Sequence, residues 1–235
     1  MPNWVFNHLS VEGNAKDVKK LKNQLNKPIT KHYKEKDEDK PTTYSNPIFS
    51  FWNIIAPPDD KLDEYFGTHG FSDGERQGDT AFNWYNFNNR EWGTKWDVAV
   101  ADGVKYSETE ITTDEPTCVA YRFDTAWSPP LPAIAKLAEQ NPNVKITIRY
   151  EEEGGWGGEI EFQGEESEIL SEWDEPNSHA DYVALDREDS CNCANETEQE
   201  YWYDDCPGKK SKPIILSVVK DTIIAKVKDL TEKKK

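Results

Sequence analysis

The most constraining feature of this 235-residue chain is a strand pattern followed at once by a helix pattern, an order that occurs twice. In residues 4–11, apolar and polar side chains alternate with period two, which is typical of a half-buried strand. Residues 14–25 then carry apolar residues at helical spacing, and Asn14 is a candidate N-cap. The apolar positions of this predicted helix are Val18, Leu21 and Leu25.

The second occurrence is longer and ends in a hairpin. Residues 118–127 alternate as a strand, Ser128 is the predicted cap of a helix over residues 131–140, and residues 144–150 form the next predicted strand. Glycines at 154–158 turn the chain into a partner strand at 159–163. Two such halves predict an α+β protein with the ferredoxin-like plait, an antiparallel sheet with two helices on one face.

The plait is predicted to occupy residues 1–165, with insertions at about 27–47 and 60–115. Residues 27–47 are rich in Lys, Glu, Asp, Pro and Thr, which predicts a loop. Residues 48–55 are an apolar run and predict a strand, with a short helix expected over residues 59–65.

Two further segments follow the predicted plait. Residues 166–207 form an acidic extension whose aromatic residues predict that it packs on the sheet. Residues 208–235 are basic, with apolar residues near helical spacing, and predict one amphipathic helix that offers a route to a homo-oligomer. These apolar residues are Ile215, Val219, Ile223, Val227 and Leu230.

The negative charge is concentrated in one part of the chain. Residues 151–206 contain 20 Asp or Glu and one basic residue, Arg187, a net charge of −19 in a chain whose total is −17, so the remainder carries about +2. The acidity disfavours nucleic acid as a direct partner. Two interpretations stay open: a solvated lobe, or a surface that binds a basic host protein, as a mimic of nucleic-acid charge would.

Three of the four cysteines lie in this acidic part, close to a histidine. His179, Cys191, Cys193 and Cys206 provide one imidazole and three thiols, the donor set of a closed tetrahedral zinc site. The spacing is not that of paired CxxC motifs, so ordinary reduced thiols are the alternative. A bound zinc ion would explain how so acidic a segment folds.

Aromatic residues interleave with amides and charges in residues 82–97, and they predict a binding surface or core packing. Lys95 lies between two tryptophans, and an ion pair with Asp97 is the structural interpretation of that group. The predicted binding surface combines this aromatic group with acidic residues of the extension: Trp84, Tyr85, Trp92, Lys95, Trp96, Asp174, Glu175, Asp204 and Asp205.

Several function classes find no support in the sequence. No phosphate-binding glycine loop or nucleophile elbow occurs, the four histidines are scattered, and with 45 carboxylates a chance pair is expected anywhere, so we predict no enzyme activity. The chain has no membrane-spanning apolar run and no secretory signal, which predicts a cytosolic protein with no membrane partner.

Three strings of residues resemble a known family. They are residues 1–13 (Met-Pro-Asn-Trp-Val through Gly13), residues 89–97 (with Trp-Gly-Thr-Lys-Trp-Asp) and residues 123–130 (Phe-Asp-Thr-Ala-Trp-Ser-Pro-Pro). Together they resemble the YubB-type ferredoxin-like domain family of bacteriophage and plasmid proteins, over about residues 1–165. The resemblance implies a ferredoxin-like domain of phage origin and no catalytic residue.

These observations predict a non-enzymatic, phage-encoded protein in the cytoplasm of the infected bacterial host. It would modulate a host factor, such as a nucleic-acid-handling or defence protein, through its acidic surface. One alternative is binding of single-stranded nucleic acid on the sheet, with a basic rim near Arg90, Lys95, Arg122 and Arg149. The other is a structural or virion-associated role of the C-terminal helix.

Overall fold

The computed structural model describes residues 2–35, 38–67, 82–104, 109–194, 202–203 and 205–207, with backbone only at 32–35, 38–40 and 188. It divides the chain into two units, Met1–Glu175 and Pro176–Lys235. In the first unit the strands are β1 (Trp4–Glu12), β2 (Ile29–Glu35), β3 (Glu38–Tyr44), β4 (Glu110–Glu115), β5 (Cys118–Ala126), β6 (Lys145–Glu152), β7 (Gly157–Gln163) and β8 (Glu166–Trp173). Its α-helices are α1 (Ala15–Leu25), α2 (Leu62–Phe66), α3 (Trp84–Phe87) and α4 (Leu131–Gln140).

Six strands of the first unit form one antiparallel sheet in the order β4-β5-β1-β6-β7-β8. β1 lies between β5 and β6, with Asn7 opposite Phe123 on one side and Tyr150 on the other. The connection β5–α4–β6 therefore passes over β1 and forms a split βαβ unit.

One face of this sheet carries the hydrophobic core. Alternate β1 residues such as Val5 and Leu9 are fully buried, as the period of a strand requires, and so are Leu21 of α1 and Leu137 of α4. All of them belong to a single cluster of buried side chains. The predicted α+β class, antiparallel sheet and pair of helices on one face are confirmed, and Asn14 caps α1 as expected.

The prediction of a strand over residues 48–55 is wrong. Phe51–Asn53 is a turn of 3-10 helix, and Phe49 and Phe51 enter the core from irregular backbone. The Phe49 ring stacks on Phe123, with 4.9 Å between centroids. Tertiary packing of aromatic rings, rather than sheet pairing, explains why this run is apolar.

The prediction of a loop over residues 27–47 is also wrong, because β2 and β3 pair as a separate two-stranded sheet from Ile29 opposite Tyr44 to Glu35 opposite Glu38. The many charged residues concealed the β-forming Ile, Tyr and Thr residues between them. The expected short helix at 59–65 is present as a 3-10 turn, Asp59–Lys61, that leads into α2.

Helix α4 begins and ends where the sequence predicts, but its predicted cap is wrong. Pro130 is the N-cap residue and provides no side-chain hydrogen bond. Ser128 instead donates its hydroxyl hydrogen to the carbonyl oxygen of Gly93. This serine therefore links the residues before α4 to the aromatic segment at residues 82–97.

The acidic part of the chain is divided between the two units. The predicted boundary at residue 165 lies in the turn between β7 and β8, and β8 continues the sheet. The second unit contains α5 (His179–Ala184) and two 3-10 turns, Glu188–Ser190 and Asn192–Ala194. The helix expected over residues 208–235 lies outside the described residues. In the part of the chain that is described, no helix is long and apolar enough to cross a membrane.

Candidate metal centre and binding surfaces

Local backbone structure in the second unit brings the four predicted metal ligands together. His179 is the first residue of α5. Cys191 directly precedes the 3-10 turn Asn192–Ala194, and Cys193 lies within that turn. Cys206 donates its backbone N–H to the carbonyl oxygen of Tyr203 at 3.1 Å. Their ligand atoms all lie within 4.8 Å of one another. The sequence identified all four residues, although their spacing is irregular.

Three of the six distances between these atoms lie between 3.3 and 3.7 Å. Nδ1 of His179 lies 3.5 Å from the Cys191 sulfur and 3.3 Å from the Cys193 sulfur. The sulfurs of Cys191 and Cys206 are 3.7 Å apart, far longer than the disulfide bond of about 2.05 Å. The cluster is thus a set of free thiols and one imidazole within metal-binding distance.

A carboxylate beside the cluster fixes the helix that carries His179. Asp205 accepts hydrogen bonds from the backbone N–H groups of His179, at 2.9 Å, and Ala180, at 2.8 Å. These bonds lower the pKa of Asp205 below its usual value. Ser178 caps the same helix by accepting from the Asp181 N–H at 3.1 Å. Asp205 directly precedes Cys206 in the chain, and its carboxylate binds the backbone N–H of His179. It therefore links two of the four ligand residues, Cys206 and His179.

The three clustered thiols differ in the direction of their pKa shifts. Burial raises the pKa of Cys206, and desolvation together with the neighbouring sulfurs raises the pKa of Cys193 to about 12. At Cys191, burial opposes ionisation, but hydrogen bonds from the Cys193 N–H and from the other three ligands outweigh it and lower the pKa. Without a cation, these interactions favour ionisation of Cys191 over ionisation of Cys193 or Cys206.

Few apolar side chains surround this cluster. Among the described residues of the second unit, one hydrophobic cluster is buried: Cys191, Trp202 and Cys206, with Tyr182, Cys193 and Tyr203 packed against it. The rings of Tyr182 and Tyr203 lie 6.0 Å apart. Two of the three buried residues in this small cluster are therefore cysteines of the ligand set.

The structure corrects two members of the predicted binding surface. Trp92 and Lys95 are each only 1% exposed, so neither lies on a surface. Trp92 packs against Phe51 and Phe87 and donates its indole N–H to Ile55. The Lys95 ammonium lies 5.1 Å from the centre of the Tyr85 ring and within 6.0 Å of Trp84 and Trp96. Because Lys95 is buried, it cannot contribute to the proposed basic rim for nucleic acid either.

Asp97 has a different cation from the one expected. Its carboxylate pairs with Lys31 of β2 at 2.8 Å and accepts from Ser50 at 2.7 Å and from the Phe51 N–H at 2.9 Å. Burial opposes its ionisation, but Lys31 and these hydrogen bonds lower its pKa overall. Lys31 lies in residues interpreted as a loop, so no local pattern pointed to this buried pair.

Of the remaining predicted aromatic residues, Trp84 and Tyr85 are half-buried and Trp96 is 37% exposed. The Trp96 ring lies 6.3 Å from Trp4, and both line a cavity of about 300 Å³ next to Asp124. Trp96 alone among the five aromatic-segment residues of the predicted surface is therefore exposed.

The three strings behind the family resemblance meet in the fold. Asn7 donates to the Thr125 hydroxyl at 2.9 Å, and Thr94 donates to the carbonyl oxygen of Ala126 at 3.0 Å. Gly93, at φ 80°, accepts from Ser128 and lies so close to Pro132 that a Cβ would be 2.4 Å from its ring. These motifs hold the core together at one end of β1 and β5.

The face of the sheet opposite the helices carries charges of both signs. His8 lies between Arg122 on β5 and Arg149 on β6. Arg122 pairs with Glu110 at 3.0 Å, and Arg149 lies 3.8 Å from Glu159. Arg90 pairs with its neighbour Glu91. The three exposed arginines of the proposed basic rim are thus each paired with a glutamate.

The acidic members of the predicted surface have different environments. Asp174 and Glu175 are exposed at the end of β8. Asp205 is exposed as a residue, but its carboxylate holds α5. Asp204 lies outside the described residues.

Comparisons with known proteins place the fold. Residues 105–200 match the family model described as "Ferredoxin-like domain in Api92-like protein". With the antiparallel sheet and its two helices, this shows a ferredoxin-like domain. The matched region begins and ends later than residues 1–165, where the sequence resemblance was seen.

No curated protein matches the chain. In a separate comparison with solved structures, the chain is similar to one bacterial protein. The structure is the crystal structure of protein api92 from Yersinia pseudotuberculosis, which is 8% identical, with a TM-score of 0.41. The similarity covers 73% of this chain and 99% of that one.

Proposed function

We propose that His179, Cys191, Cys193 and Cys206 bind one zinc ion. The separations of the ligand atoms carry this proposal. With Zn–S bonds of about 2.3 Å and Zn–N bonds of about 2.0–2.1 Å, a tetrahedron requires about 3.8 Å between two sulfurs and about 3.5 Å between nitrogen and sulfur. Three of the six separations in the structure match these values: 3.7 Å between the sulfurs of Cys191 and Cys206, and 3.5 and 3.3 Å from the His179 nitrogen to the sulfurs of Cys191 and Cys193.

The donor set supports a structural role for this ion. Four protein ligands complete a tetrahedron and leave no position for water or substrate, unlike catalytic zinc sites, which keep one open. The zinc ion would make it possible for Cys193 and Cys206 to ionise beside Cys191. The ion would then stabilise a cluster that has few buried apolar neighbours among the described residues of this unit.

Native mass spectrometry of the full chain, purified under reducing conditions with zinc, tests this centre. We expect one added zinc ion, lost on treatment with a chelator and absent from Cys193→Ser. Cys118→Ser is the matched control, because Cys118 belongs to β5 and not to the cluster, and it should retain the ion. A bare mass for the wild-type chain, or a loss of 2 Da from a Cys191–Cys206 disulfide under these conditions, would contradict the proposal.

We further propose that the protein is a non-enzymatic binding protein, encoded by a phage, that modulates a basic host protein in the cytoplasm of the infected cell. The three strings that resemble the YubB-type family support a phage origin. Exposed carboxylates along and after β8, with Asp174 and Glu175 among them, support a partner of positive charge. A host protein that binds nucleic acid, including one that acts in defence, would offer a basic surface to these carboxylates.

Binding through this surface must weaken with salt, because exposed charges more than about 8–10 Å apart are screened at physiological ionic strength. Host proteins retained by the immobilised chain at low salt should be released at high salt. The double variant Asp174→Lys/Glu175→Lys should retain less of them, while Glu139→Lys on α4 should behave as wild type. Retention that neither salt nor the double variant changes would contradict an acidic binding surface.

The two arginines beside His8 favour the alternative of single-stranded nucleic acid on the sheet. Glu110 and Glu159 offset that charge, which supports the protein partner instead. Nucleic acid retained at low salt and recovered in the high-salt eluate, with its loss in Arg122→Ala/Arg149→Ala, would establish the alternative.

A further inference from the structure

β8 is the last strand of the six-stranded sheet and is paired on one side by β7. Among the described residues, no strand lies along its other side. An edge strand of this kind presents a row of backbone N–H and C=O groups that a further strand can pair with. Seven of its eight side chains, all except Trp173, are exposed.

Two adjacent aliphatic residues are exposed in the middle of this strand. Ile169 is 58% exposed and Leu170 is 47% exposed. The pairing with β7 shifts here, since Ser171 lies opposite Glu159 while Ile169 lies opposite Ile160, and Leu170 is the extra residue of a β-bulge. Exposed aliphatic side chains at an open edge are the anchors that an added strand would cover.

The negative charge at the open edge of β8 favours a basic binding partner. Six carboxylates lie within residues 165–175, a stretch with no basic residue: Glu165, Glu166, Glu168, Glu172, Asp174 and Glu175. All six are exposed, and none forms an ion pair within the described part of the chain. A second copy of β8 would place like charges opposite each other, which destabilises a strand pair. A basic strand would place opposite charges there.

We propose that the open edge of β8 binds an extended, basic segment of a partner protein as an added strand. Backbone hydrogen bonds would supply affinity, and alternation of Lys or Arg with aliphatic residues would supply specificity. In the register of β8 with β7, Glu166 and Glu168 lie on one face of the sheet and Ile169 lies on the other. Basic side chains of the added strand would face the two glutamates, and its aliphatic side chains would cover Ile169. This inference rests on the proposed basic partner and names the place and the conformation in which it binds.

A synthetic peptide of eight residues that alternates Lys and Val, the length of β8, is a direct probe. We expect it to bind the full chain at low salt and to slow hydrogen exchange of backbone amides in residues 166–173, but not in α4. Glu168→Lys should weaken binding by about tenfold, whereas Glu139→Lys, which reverses an exposed charge on α4, should leave it unchanged.

Two N-methylated peptides separate strand addition from simple attraction of charges. One carries methyl groups on its odd-numbered amides and the other on its even-numbered amides, with the same charge. Alternate N–H groups of an edge-paired strand point toward its neighbour. We therefore expect one peptide to bind and the other to fail.

Equal binding of both methylated peptides, or protection elsewhere in the chain without protection of β8, would overturn strand addition while leaving an acidic binding surface intact. No binding of any peptide at low salt would overturn the inference at β8. Protection of β8 that grows with protein concentration in the absence of peptide would show a second copy as the occupant and overturn it too. The salt-dependent retention of host proteins tests the proposed function separately.

Discussion

The two units of the chain differ in how many apolar side chains their described residues bury. In the first, Met1–Glu175, a cluster of 25 buried apolar and aromatic residues lies between the sheet and the helices of the described part. The described part of the second unit has three, and two of these are cysteines of the metal-binding cluster. Metal coordination at the proposed zinc site would add stability that these few buried side chains do not supply. The contrast is between a domain with a large hydrophobic core and a cluster whose stability would depend on an ion.

The strongest way to break this contrast is to remove a ligand. Cys191→Ser leaves three donors, so we expect zinc affinity to fall by more than the roughly 10–100-fold typical of losing an outer hydrogen-bond partner of a ligand. Competition with a chromogenic chelator measures this. Urea unfolding of the first unit, followed by tryptophan fluorescence, should not change, and a parallel fall in its midpoint would argue that the units are not independent.

The reverse experiment removes a core ring from the first unit. Phe123 is fully buried and stacks on Phe49, so Phe123→Ala should lower the free energy of unfolding by about 3–5 kcal/mol. Zinc stoichiometry, measured by native mass spectrometry under conditions where the variant is folded, should stay at one. Loss of the ion would join the two units energetically and refute the contrast.

A buried charge inside the hydrophobic unit sharpens the comparison. Asp97→Asn leaves Lys31 without its partner, and we expect a loss of about 3 kcal/mol in equilibrium unfolding near neutral pH. The exposed pair of Lys22 and Asp114 is the control, since Asp114→Asn should cost about 1 kcal/mol or less. If the two substitutions lower the free energy of unfolding equally, burial does not increase the stabilisation that the Lys31–Asp97 pair provides.

The pH dependence of Asp97 has a definite sign. Its pKa is lower in the folded protein than the usual value for an aspartate, so its ionised form stabilises the fold above the unfolded pKa of about 3.9. This stabilisation is lost as the pH falls through the lowered folded pKa. In Asp97→Asn, the acid unfolding curve should lack this contribution.

The smallest expected effect is on zinc affinity when Asp205, which links His179 and Cys206, is replaced. Asp205→Ala removes the acceptor for the N–H groups of His179 and Ala180, and zinc affinity should fall by about tenfold. Asp205→Asn retains an acceptor oxygen and should fall less. If both variants bind zinc as tightly as wild type, the carboxylate does not position the cluster.

The fold was predictable where one periodicity covers a whole element. The alternation around Val5 and Leu9 and the helical spacing of Val18, Leu21 and Leu25 each report a single buried face, and the structure confirms both elements. The run at 48–55 misled because Phe49 and Phe51 are buried by side-chain packing rather than by pairing with a strand. Periodicity records burial and does not record what covers a residue.

The candidate site was predictable from chemistry more than from spacing. One imidazole and three thiols suffice to suggest a closed metal site, whatever the loops between them. Lys95 and Trp92 were misplaced because tryptophan and lysine occur both at surfaces and, when ring faces surround the ammonium, in interiors. The pairing of Lys31 with Asp97 joins residues 66 positions apart, which local patterns do not show.

Hydrogen exchange resolved by segment, with and without zinc, tests the contrast between the units most directly. We predict that zinc removal speeds exchange in residues 179–194 and leaves β1, β5 and β6 unchanged, because a protein opens in separate cooperative parts when different interactions hold them. The same exchange in residues 179–194 with and without the ion would contradict a metal-dependent second unit.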